Sequence, residues 1–275
     1  MHAPDLADAL LAPARLLVRE ARHWLPIVIA LAMLSALPDV ALRALLPELL
    51  SVAGSGMLLD VLIASASVLS VAWGMKLILE LAAYMLVFVV LADLTAGRTP
   101  ALGAGLRRLA SWRLQGAWVV AGFFEQTAID LWFVGGGLLL VPFGLVTVAA
   151  YEEANGLQAF GRSLALGKVE LGRTRAGVRI AVAATVGFAV GTLIQLILSV
   201  VSWAVFPSGM GTLILALLGG TLPAGGAGLP AYTGAEAAVS LLLSPLGLLP
   251  TVYLMAVQQR TYWQIRGVEV EATAA

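Results

Sequence analysis

The chain has no cysteine, two histidines and little charge: Asp, Glu, Lys and Arg make up 12% of its 275 residues. Without cysteine there are no disulfides, thiolate metal sites or thiol nucleophiles. Only His2 and His23 carry imidazole, which removes most metal ligation and acid–base chemistry. Basic and acidic residues balance at 16 each, so no net positive field points to nucleic acid. The sequence contains no Gly-x-x-x-x-Gly-Lys-Ser/Thr phosphate loop, no Gly-x-Ser-x-Gly elbow and no His-Glu-x-x-His pair. Ser55 sits in a Gly-Ser-Gly triplet with no histidine near it, and reads as a turn. No catalytic residue, metal or cofactor is expected, and the chain is expected not to be an enzyme.

What the sequence has is apolar surface. Hydrophobic residues reach 60% and the mean hydropathy is +0.96, against about 45–50% apolar and about 25% charged residues in soluble domains. A water-soluble fold of this composition would have to expose large apolar patches. The apolar runs cover 24–46, 57–92, 114–150, 180–206, 210–222 and 236–258, and about 20 such residues cross a bilayer core. An all-α, polytopic integral membrane bundle follows. The first run starts behind a stretch carrying Arg15, Arg19 and Arg22, with no Ala-x-Ala-like cleavage site placed cleanly after it, and is expected to be a retained span.

Charge placement sets the topology. Fourteen of the 16 basic residues fall in four groups: Arg15 to Arg22, Arg98 to Arg113, Arg162 to Arg179, and Arg260 with Arg266; only Arg43 and Lys76 lie outside them. The positive-inside rule puts all four groups in the cytoplasm. The chain then crosses an even number of times between groups, most simply as three hairpins and six spans with both ends inside. The expected layout is an interfacial helix over 1–23, spans near 24–46, 60–92, 113–133, 138–151, 180–206 and 236–258, and a cytoplasmic tail over 264–275. The first outer turn is expected through Pro38, Asp39, Arg43 and Pro47. The second is placed at Gly135–Gly137, with a turn nearer Asp130 as the alternative. A Gly/Pro-rich outer loop spans 207–235, and its apolar core over 210–222 is too short to cross. Segments 5–23 and 156–170 read as amphipathic interfacial helices; in the first, Leu6, Leu10, Leu17 and Val18 form the apolar side.

Three charges fall deep in the apolar runs: Lys76, Glu80 and Glu125. Charge at the bilayer centre costs about 2.5–3.5 kcal/mol, so such side chains are expected to face the bundle interior. Lys76 and Glu80 are one helical turn apart, and Lys76 is expected to lie between Glu80 and Glu125 as an intramembrane polar group. The plainer alternative is a neutralised pair that fixes helix register. Ser70-x-x-x-Gly74 and Gly187-x-x-x-Gly191 suit close helix contact, within the chain or across a homo-oligomer.

The run 141–173 joins an apolar span with an early proline to an acidic inner end, a glycine, an Ala-x-x-x-Ser helix and a basic turn. Its residues are Pro142, Glu152, Gly156, Ala159, Arg162, Ser163, Leu166 and Lys168. This pattern resembles the membrane domain linked to some glycerophosphoryl diester phosphodiesterases and related six-span bacterial proteins. The resemblance implies a six-helix domain in the bacterial inner membrane. It implies no phosphodiesterase activity, because the catalytic domain of those enzymes has no counterpart here. Physically the run reads as an elbow: Asn155 can cap a helix starting at Gly156, and Leu157, Phe160 and Leu164 share a face suited to the membrane. It can serve as a connector or as a docking surface for lipid or a protein partner. The function expected is a non-catalytic organising, assembly or regulatory role in the membrane, with membrane lipids and a protein or second copy as partners. The alternative is a small transporter or channel built on Lys76, Glu80 and Glu125.

Overall fold

Long stretches rich in Leu and Ala, which lose little on entering a helix, make the chain mostly helical. This computed structural model describes residues 6–53, 58–131, 136–153, 156–205 and 234–274. The elements are α1 (Leu6–Arg19), α2 (Ala21–Ala53), α3 (Leu58–Thr95), α4 (Leu102–Leu109), α5 (Trp112–Asp130), a 3₁₀ turn over Gly136–Leu139, α6 (Leu140–Phe143), α7 (Val146–Glu153), α8 (Gln158–Gly167), β1 (Glu170–Leu171), β2 (Thr174–Arg175), α9 (Ala176–Val205) and α10 (Gly234–Ala274). Four stretches are long and apolar enough to cross a membrane: Ala21–Pro38, Gly136–Glu153, Ala176–Leu198 and Ala237–Gly267.

Several boundaries depart from expectation. α2 does not turn at Pro38–Pro47 but runs on to Ala53. The Ala/Leu-rich residues around the two prolines propagate helix strongly enough to carry it through them. At the other end α10 is one helix of 41 residues, which carries on through the expected tail as far as Ala274. The stretches expected at 113–133 and 180–206 are helical as α5 and α9, and of the two only α9 holds a stretch long and apolar enough to cross a membrane among the described residues. α1 is helical as expected, with Leu17 buried, but Val18 points outward at 79% exposure. Most of the expected 207–235 loop, with its 210–222 core, lies outside the described residues.

The chain divides into two compact units. The first takes residues 1–27, 84–191 and 249–275; the second takes 28–83 and 192–248. The first holds all four basic groups, and of the Lys and Arg residues only Arg43 and Lys76 belong to the second. In the first unit, Val87–Ala92 and Leu254–Gln259 are buried all round, as befits helical segments at a core. α5 packs antiparallel on the broken leg 136–153, and α8 closes over α6 and α7.

α9 is turned inside out relative to a soluble amphipathic helix. Within the first unit its small residues Ala183, Ala184, Gly187 and Gly191 are buried, while Val186 and Val190 are exposed. A Cβ on Gly187 would meet the Tyr253 ring at 3.3 Å, and one on Gly191 would overlap Pro250. The Gly187-x-x-x-Gly191 seam is therefore an internal contact with α10. The exposed stripe continues as Leu193, Ile197 and Val200. Small residues inward and large apolar ones outward is how helices pack when lipid is the solvent.

Candidate functional site

Two polar arrangements stand out, both in the first unit. The inner one centres on Glu125 of α5, 2% exposed. The Tyr84 hydroxyl donates to its Oε2 at 2.9 Å, and the Thr147 backbone N–H approaches Oε1 at 3.4 Å. The Thr147 and Gln258 side chains lie within electrostatic reach. Tyr84 is fixed in turn by its neighbours, its ring 5.4 Å from Trp118 and 6.3 Å from Phe88. One carboxylate thus joins α3, α5, α7 and α10. Of the residues expected beside it, Lys76 and Glu80 belong to the α3 backbone, but their side chains lie outside the described residues. Tyr84, one turn beyond Glu80, was not visible in the sequence as the partner; a tyrosine in an apolar run carries no signal of which way it points.

The outer arrangement is the elbow, whose residues converge. Pro142 has no N–H to give, and the helix breaks after Phe143. In an unbroken helix Leu145 N–H would bond to Val141 and Val146 N–H to Pro142. Ser163 of α8, fully buried, repairs the break instead: its Oγ accepts from Leu145 N–H at 3.2 Å and donates to the Pro142 carbonyl at 3.1 Å. The Val141 carbonyl is roofed by Gly167 and Gly177. A Cβ on Gly167 would stand 2.8 Å from that oxygen, and one on Gly177 would overlap it. Ala159 and Leu166 are buried on the same face of α8 as Ser163, while Leu157 and Leu164 are exposed. Phe160 packs edge-on against Phe124 and Phe143. Asn155 lies outside the described residues. α8 starts at Gln158 with no side-chain cap, and Gly156 makes the turn with φ +53°, a conformation that favours glycine.

Beyond the elbow the basic groups meet acidic ones. Arg162 pairs with Glu153 at 3.0 Å, and Tyr262 of α10 donates to the same carboxylate at 3.2 Å. Arg108 donates to the Glu152 carbonyl at 2.6 Å and its guanidinium stands 4.8 Å from the centre of the Tyr151 ring. Arg98 pairs with Asp93 at 3.2 Å and approaches Glu152 at 3.8 Å. Gly97, with φ +69°, ends α3 and turns Arg98 back, whose N–H bonds to the Asp93 carbonyl. Of these residues Asp93, Arg98, Arg108 and Tyr151 line an open cavity of about 510 Å³ between the end of α3, α4 and Tyr151.

No family model, curated protein or solved structure matches the chain. Among the described residues no three His, Asp or Glu side chains converge as a bound metal would need. Past the end of α8, β1 and β2 form a two-stranded hairpin pairing Glu170 with Arg175 and Leu171 with Thr174, turned at Gly172 with φ +69°. Buried Arg179 braces it, donating to the Leu171 carbonyl and to Thr174 Oγ1. In sequence Arg179 is one more member of a basic group; only the hairpin gives it a carbonyl to hold.

Proposed function

We propose that this chain is a non-catalytic integral protein of the bacterial inner membrane that organises, assembles or regulates a membrane partner. Six spans in three hairpins carry its basic elbows on the cytoplasmic side, with both ends inside. The inside-out packing of α9 supports the membrane setting, and the gathering of four basic groups into one unit supports their common side. The observation that carries the functional reading is Glu125. Its carboxylate is enclosed and engaged by Tyr84 and the Thr147 N–H, so the most costly charge in α5 goes to fixing helices against one another.

The test is to reconstitute the purified protein and its Glu125→Gln variant into proteoliposomes. The expected result is no proton or cation leak above empty vesicles for either protein, with a lower unfolding temperature for the variant. A flux through the unaltered protein that Glu125→Gln abolishes would overturn the reading in favour of a transporter.

A further inference from the structure

The cavity between α3, α4 and α7 has an unusual lining for a helix end. Asp93, Arg98, Thr99, Arg108 and Tyr151 face it, and Glu152 stands behind both guanidinium groups at 3.8 and 3.9 Å. The two guanidinium groups keep solvent access, with side-chain exposures of 47% and 38%, while Glu152 is 6% exposed. Guanidinium forks suit a phosphate. Asp93 uses one oxygen on Arg98 and the other on the Ala101 N–H at 2.9 Å, which leaves lone pairs on both.

Asp93, Arg98, Arg108 and Glu152 sum to zero, so these four offer a zwitterion a partner for each end rather than a positive surplus for an anion alone. A quaternary ammonium is normally held by aromatic faces, but the Tyr151 face is already covered by Arg108. A primary ammonium can instead donate to Asp93. Exposed apolar side chains flank the cavity, as a lipid-contacting surface requires. On the neighbouring face of α4, Leu102 and Leu106 are each 37% exposed, and Trp112 just beyond is 87% exposed. Arg107 and Arg113 are exposed beside them.

We propose that this cavity receives the headgroup of an ethanolamine phospholipid, the phosphate between Arg98 and Arg108 and the ammonium on Asp93. The inference rests on the membrane reading above. Its test is to assemble the full chain into nanodiscs of equimolar phosphatidylethanolamine, phosphatidylcholine and phosphatidylglycerol, extract it mildly and weigh the retained lipid by native mass spectrometry. Retention of the ethanolamine lipid is expected to exceed that of the choline lipid by about tenfold, the worth of one hydrogen bond to a charged group. Soluble phosphoethanolamine should not displace it at equal concentration. Asp93→Asn, which can still accept from Ala101, should erase the preference. Ala104→Leu, which fills the cavity from an exposed position on α4, should abolish retention without lowering the unfolding temperature. Equal retention of the three lipids, a preference for the glycerol lipid, or a preference that survives both substitutions would overturn the proposal. Recovery of the chain as a soluble protein without detergent would sink the membrane reading itself, a result distinct from an integral protein with no headgroup preference.

Discussion

Helix α5 and the stretch 136–153 packed against it invert what their sequences suggest. α5 carries Arg113, Gln115 and Glu125 yet runs unbroken for 19 residues. The stretch 136–153 is free of charge until Glu152 yet breaks into a 3₁₀ turn and two short helices. Apolar content therefore does not decide which of the two is continuous. What decides is whether neighbouring chain satisfies the backbone groups that a break releases. The broken leg is the most enclosed of the four membrane-length stretches, 61% buried against 29% or less for the others. Irregular backbone at membrane depth is tolerated only in such a place. The polar α5 stays whole because Glu125 finds partners on its neighbours and leaves its own backbone alone.

The comparison can be broken from the elbow side. Gly177→Val should do most damage, because a side chain there collides with the Val141 carbonyl that the two glycines roof. We expect a loss of about 3 kcal/mol or more, seen as a collapse in folded yield on size-exclusion chromatography. Ser163→Ala should cost about 1–3 kcal/mol, since Leu145 N–H and the Pro142 carbonyl lose their shared partner in a dry site; thermal unfolding in detergent measures it. If Ser163→Ala leaves the unfolding temperature unchanged, the hydroxyl is not what holds the break. Gly161→Ala is the sharpening control on the opposite face of α8. Nothing lies within 4 Å of its added methyl, so it should stabilise by about 0.5–1 kcal/mol. The same assay should show the opposite sign from Ser163→Ala.

Composition told the helical character of the chain, and its long apolar runs told four membrane-length stretches. The four basic groups read from the chain do fall in one unit, and the elbow residues Pro142, Ala159, Ser163 and Leu166 do assemble around one joint. Three things were not legible, each for a physical reason. The helix through Pro38 and Pro47 depends on the propensity of its flanks outweighing two local breakers. The break after Phe143 is stable only because a serine 18 residues on from Leu145 reaches back to it. The choice of Tyr84 as the partner of Glu125 depends on helix rotation, and in runs apolar on every side no periodicity betrays rotation.

The central claim is that the elbows at 98–113 and 162–179 occupy one compartment. A chain with no cysteine makes the measurement clean. Arg107→Cys and Arg173→Cys, both at exposed positions, are introduced singly and treated with a membrane-impermeant maleimide in intact spheroplasts and in inside-out vesicles. The account predicts that both stay unlabelled in spheroplasts and that both label in inverted vesicles. Labelling of one but not the other in intact spheroplasts would contradict it.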